Sequence, residues 1–205
     1  MISRHLLRHQ KNKKMTHNKT QRLAIIAIAA AFLAISSQIT IPLPIVPLTL
    51  QTLAVGIIAT VLTPLDSVLA ILVYLILGAI GLPVYAGGAA GFGVILGPTG
   101  GFLIGFLFQA LQVAQLSKLA LLMKTARGKL ALFIIANLIG TIWCLAIGTA
   151  WLAVVAHLSL QAGFKLGFLP FIIPGIVKAI LAAIIGYYIR RALKTNAYFI
   201  KSTAK

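Results

Sequence analysis

The chain has 205 residues, 60% of them hydrophobic and only 9% charged, with a formal net charge of +17. That balance describes a membrane protein: a nucleic-acid surface would need cations spread over a soluble domain, and here they sit almost entirely outside the apolar runs. Asp66 is the only acidic residue, which excludes carboxylate pairs, carboxylate metal cages and acid-based proton relays.

Taken in chain order, residues 1–21 form a polar, basic segment, expected to be disordered and cytoplasmic, where it orients the chain and touches anionic lipid. A membrane domain over 22–194 follows, and then a basic cytoplasmic tail over 195–205. A membrane-crossing helix needs about 20 apolar residues. Six candidate runs occur, at 22–41, 49–63, 65–82, 100–122, 130–157 and 169–193. The second and third are short and separated by "TPLD", so they read as one helical hairpin. Sixteen of the eighteen cations fall before or at the start of the first run, around the connection between the fourth and fifth, or at and beyond the end of the sixth. Cations mark the cytoplasmic side, so the expected fold is an all-α membrane protein with six transmembrane helices and both termini cytoplasmic.

In the first helix, Ala27 with Ala31 and Ala30 with Ala34 repeat small residues at four-residue spacing. Such spacing lets another helix approach closely, either inside the bundle or from outside it. In "TIPLPIVPLTLQTLAV", Pro42, Pro44 and Pro47 cannot continue a helix, so an extended outer connection is expected. Gln51, just inside the second helix, offers amide donors and acceptors either to a neutral ligand or to another helix.

The third and fourth helices are joined by "GLPVYAGGAAGFGVILGPTGG", with eight glycines, two prolines and no charge. Irregular backbone at membrane depth survives only where protein covers it or it lines a cavity. Its polar groups are those of the backbone, which glycine exposes to close approach. Tyr85 adds a ring and a hydroxyl. The loop is therefore expected to be a lid over a site, a wall of it, or both.

Lys178 stands in "LPFIIPGIVKAILAAIIG", about nine residues into its helix from Pro170, or roughly 13 Å at 1.5 Å per residue. An unpaired cation at the centre of a membrane helix costs on the order of 2.5–3.5 kcal/mol. Asp66 is expected at the opposite, cytoplasmic end. Either the amine snorkels to the interface or its anion arrives with a carboxylate-bearing solute. No phosphate-binding GxxxxGK[ST] loop occurs, the histidines show no metal-ligand spacing, and no Ser–His–Asp set is credible with one aspartate. Cys144 is the only cysteine and can form no internal disulfide. Neither catalysis nor a cofactor or metal is expected.

The stretches "PLTLQTLAV", "GLPVYAGGAAGFGVILGPTGGFLIGF", "GTAWLA" and "GFLPFIIPGIVKAILAA" together resemble the BioY family, the biotin-specific substrate-binding (S) components of energy-coupling factor (ECF) transporters. The resemblance covers about residues 24–194. It implies a six-helix S component in a prokaryotic plasma membrane that captures biotin from outside. A transmembrane T component and two cytoplasmic ATPase subunits would power uptake. By the same resemblance Ala27, Ala31 and Ala34 dock the T component, and Gln51 and the Gly87–Gly88 pair contact the ligand. Lys178 helps hold its carboxylate. The family usually carries an aspartate three residues before that lysine, where this chain has Gly175. The residues alone also admit another small carboxylate, a self-sufficient secondary transporter, or a membrane assembly protein without a solute.

Overall fold

The computed structural model describes residues 2–193, with side chains described from residue 19 onward. The basic tail at 195–205 lies outside the described residues. Helix α1 spans Ile2–Gln38. The basic segment expected to be disordered is helical from residue 2 and continuous with α1, and 19–38 is the part apolar enough to cross a membrane. A two-stranded antiparallel hairpin follows, β1 (Thr40–Ile41) and β2 (Leu48–Thr49), pairing Thr40 with Thr49 and Ile41 with Leu48. The three prolines sit in or beside its turn, where no ladder hydrogen bond is lost.

Helix α2 (Gln51–Val61) and helix α3 (Pro64–Ala79) come next. At 1.5 Å per residue they are about 16 and 24 Å long, each short of a hydrocarbon core of roughly 30 Å. Thr63 starts α3 by accepting the Asp66 amide, and Pro64 occupies the first helical position. The expected hairpin of these two helices is corrected in its packing. They are consecutive, but α2 packs mainly on later helices and α3 on α5 and α1.

The glycine-rich loop carries a 3₁₀ turn (Ala86–Gly88) and a short helix α4 (Phe92–Leu96). Helix α5 (Gly100–Ala120) and helix α6 (Ala126–Val155) form the most extensive pair. Residues 158–168, expected as a plain connection, are mostly helical. Ser159 caps α7 (Leu160–Gly163) by accepting from the Ala162 amide, and a π turn (Phe164–Phe168) and a 3₁₀ turn (Leu169–Phe171) lead into α8 (Ile172–Ala192). The irregular turns accommodate Pro170, which has no N–H to donate.

Four of these helical segments, 19–38, 100–120, 126–155 and 160–192, are long and apolar enough to cross a membrane. Each of the six expected runs overlaps a helix, but the end of the first and the start of the second lie in the β1–β2 hairpin, and α2 and α3 are each too short alone. α2 is central, packed against α8, α5 and α1. Buried polar bonds tie it in place. Asn137 of α6 donates to the Thr60 hydroxyl at 2.9 Å, and Arg190 of α8 donates to the Thr60 carbonyl at 2.7 Å. The second bond satisfies a carbonyl at the C-terminal end of α2, where cations are favoured. At this same basic end Arg22 of α1 pairs with buried Asp66 of α3 at 2.6 Å.

Candidate binding cavity

At the other end of the bundle, the β1–β2 hairpin, the glycine-rich loop, the first turn of α2, the first and second turns of α5 and α8, and the middle of α6 enclose a cavity of about 410 Å³. That size suits a small organic molecule. Phe102, Phe106, Leu145 and Phe171 give it an apolar body, while Thr49, Gln51, Thr52, Thr141 and Lys178 supply polar groups.

Lys178 lies in the second turn of α8 and lines this cavity. Its Nζ donates to the Thr49 carbonyl at 3.0 Å. The amine therefore turns inward, onto the hairpin, rather than snorkelling along α8. A carbonyl gives it one neutral acceptor but no counter-charge, so an incoming carboxylate would be a stronger partner.

Gln51 also lines the cavity, but its amide is already engaged. Nε2 donates to the Tyr74 hydroxyl at 2.6 Å, and Oε1 accepts from the Thr49 hydroxyl at 2.8 Å. The interhelical alternative thus describes the amide as it stands, and the residue holds the start of α2 on α3. Tyr85 contributes to the wall while its hydroxyl turns away, donating to the Leu75 carbonyl at 2.6 Å. Its ring fills the space over Gly78, where any Cβ would overlap it, and meets Tyr74 edge-on with centroids 5.6 Å apart.

Gly87 and Gly88 do not line the cavity; Ala86 and Ala89 beside them do. Both glycines adopt left-handed backbone, with φ of 65° and 81°, which other residues adopt only under strain. Their part in the wall is to turn the chain. The loop is held from α1, where the Ser37 hydroxyl reaches the Val84 carbonyl at 2.5 Å.

The alanines of α1 divide between two faces. Ala27 and Ala31 are exposed, whereas Ala30 is buried and Ala34 is half-buried against the core. Gly175 lines the cavity one turn before Lys178, and a Cβ there would come within 3.0 Å of the Thr141 methyl.

Three structural partners escaped the sequence reading. Thr49 anchors both Lys178 and Gln51. Tyr74 is fully buried and receives the Gln51 amide. Trp151 of α6 donates its indole N–H to the Gly97 carbonyl at 3.0 Å, pinning the loop wall. The available signal for the last two was a polar-tipped aromatic within an apolar run, since such a tip needs a partner when buried.

A bundle with membrane-length helices, enclosing a small, mostly apolar cavity with one amine at its wall, defines a membrane-embedded solute-binding protein. Comparison makes the class particular. The BioY family matches residues 9–195, and the chain belongs to that family. It is 44% identical over 186 residues to "Biotin transporter BioY2" of Lactococcus lactis subsp. cremoris, covering 90% of this chain and 99% of that protein. It is 40% identical over 167 residues to "Probable biotin transporter BioY" of Pyrococcus horikoshii, covering 82% and 94%. Its fold superposes with a TM-score of 0.75 on a crystal structure titled as the S component for biotin from an ECF-type ABC transporter. That match has 28% sequence identity and covers 85% of this chain and 93% of the other.

Proposed function

We propose that this chain is the S component of an ECF transporter that captures biotin with high affinity at the outer face of a prokaryotic plasma membrane. The observation that carries the reading is the inward-facing Lys178 amine, with no carboxylate beside it among the described residues, at the wall of an apolar cavity. Biotin brings an apolar thioether body and chain, an uncharged ureido ring and one carboxylate, and so matches that inventory. Lys178 takes the carboxylate. Tyr85 and the loop turned by Gly87 and Gly88 cover the body. Gln51 keeps the helix start and hairpin in register beside the ligand.

In this reading all six helical runs are membrane-embedded, α2 and α3 as short helices within the bundle, and both termini are cytoplasmic. The positions of the cations support that orientation. A T component docks against α1, where Ala27 and Ala31 are exposed and Ala34 lies at the margin. Two cytoplasmic ATPase subunits supply the energy. The test is mass spectrometry of the solute retained by gently purified protein, followed by equilibrium binding of labelled biotin. Biotin is the expected solute; a different retained carboxylate, or none with no binding of biotin, would overturn the assignment.

A further inference from the structure

Among the cavity hydroxyls with no role so far are those of Thr52 and Thr141. Thr52 stands in the first turn of α2 and lines the cavity, and its Oγ1 is shielded from solvent with no hydrogen-bond partner among the described residues. Thr141 of α6 lines it too, is 7% exposed, and makes no hydrogen bond through its hydroxyl among the described residues. Buried polar groups are nearly always paired, and the shielded, unpaired Thr52 hydroxyl calls for a partner that the described residues do not supply.

Both side chains stand close to the residues that fix the Lys178 amine. Thr52 follows by three residues the Thr49 carbonyl that receives it. Thr141 packs its methyl against Gly175, one helical turn from Lys178 on the same face of α8. The absence of a Cβ at Gly175 is what admits it. The α2 N-terminus adds a third feature. Its N-cap is Leu50, which has no side chain able to cap, and the Thr52 and Leu53 amides have no partner among the described residues. A helix start of this kind favours negative charge.

We infer that Thr52 and Thr141 complete a carboxylate cradle with Lys178, donating their hydroxyl protons to the ligand's anionic group. This rests on the reading of Lys178 given above. An ionised carboxylate has about four acceptor sites, and one ammonium leaves some of them open. Two hydroxyls and the start of α2 fill those sites without adding charge.

The experiment compares biotin with its methyl ester, which keeps the ring and chain but cannot ionise, on purified full-length protein. Thr52→Val and Thr141→Val each weaken biotin binding by about tenfold, the scale of one charge-assisted hydrogen bond. They change methyl ester binding less than about twofold, and Thr→Ser at either position restores biotin binding. Equal weakening of both ligands would instead assign the hydroxyls to the neutral ring or to packing, and overturn the inference; so would unchanged biotin binding. Failure of the underlying reading looks different: Lys178→Ala would then leave biotin binding unchanged, whatever the threonines do.

Discussion

The Lys178 amine donates to the Thr49 carbonyl at 3.0 Å, so the cation on α8 is held by the backbone of β2 across the mouth of the cavity. Thr49 also donates its hydroxyl to Gln51, which in turn donates to Tyr74. One short chain of hydrogen bonds thus joins α8, the hairpin, α2 and α3 around the cavity. Replacing one neutral acceptor of Lys178 by a carboxylate would change the end of that chain.

Lys178→Ala is expected to weaken biotin binding at least about tenfold, a loss of roughly 1.4 kcal/mol. Isothermal titration on purified protein measures it. Unchanged affinity would remove Lys178 from the carboxylate site.

Trp151→Phe keeps an aromatic body and deletes the donor to Gly97. The lost bond is expected to cost about 0.5–1.5 kcal/mol, released as a looser loop wall and a faster off-rate for biotin. Stopped-flow release distinguishes this from a change in association. Because Trp143 is the only other tryptophan, the Trp143→Phe background also allows Trp151 fluorescence to be followed on binding.

Gly78→Ala places a methyl group where the Tyr85 ring lies. The ring must move and give up its bond to Leu75. Overpacking of this kind costs about 1–3 kcal/mol, seen as a lower melting temperature in detergent. Tyr85→Phe in the same assay removes only the hydrogen bond and is expected to cost less.

Arg22→Ala breaks the pair with Asp66 that ties α1 to α3 at the basic end. A hydrogen bond to a charged group contributes about 1.5–3 kcal/mol. Lys19→Ala, an exposed change one turn earlier, serves as the control and is expected to alter thermal stability much less. Equal effects would mean that the Arg22 pair contributes little.

Ala27→Leu with Ala31→Leu enlarges the exposed face of α1 without entering the core. Biotin binding to the isolated chain should stay within about twofold, while uptake with the T component and ATPases falls sharply, because close helix approach needs small residues. Uptake at the wild-type rate would place docking elsewhere.

What the sequence determined by itself was whatever depends on composition and spacing along the chain. The apolar runs of membrane-crossing length, the gathering of cations at their ends and the cation midway along the last run all follow from hydrophobic length and charge position, which are local quantities. The loop over 81–99 was likewise legible as a cavity wall, because glycine and proline cannot hide their backbone inside a helix. Only the tertiary structure decided which atoms face the cavity. Gln51 was read as a ligand contact or an interhelical bond, and Tyr74, 23 residues away, occupies its amide. The Tyr85 hydroxyl leaves the cavity for Leu75, and Gly87 and Gly88 bend the loop instead of lining it. The pairing of Ala30 with Ala34 turns inward while Ala27 and Ala31 stay exposed. Each of these outcomes depends on the rotation of a helix or the path of a loop relative to elements distant in sequence, and side-chain periodicity carries no record of that.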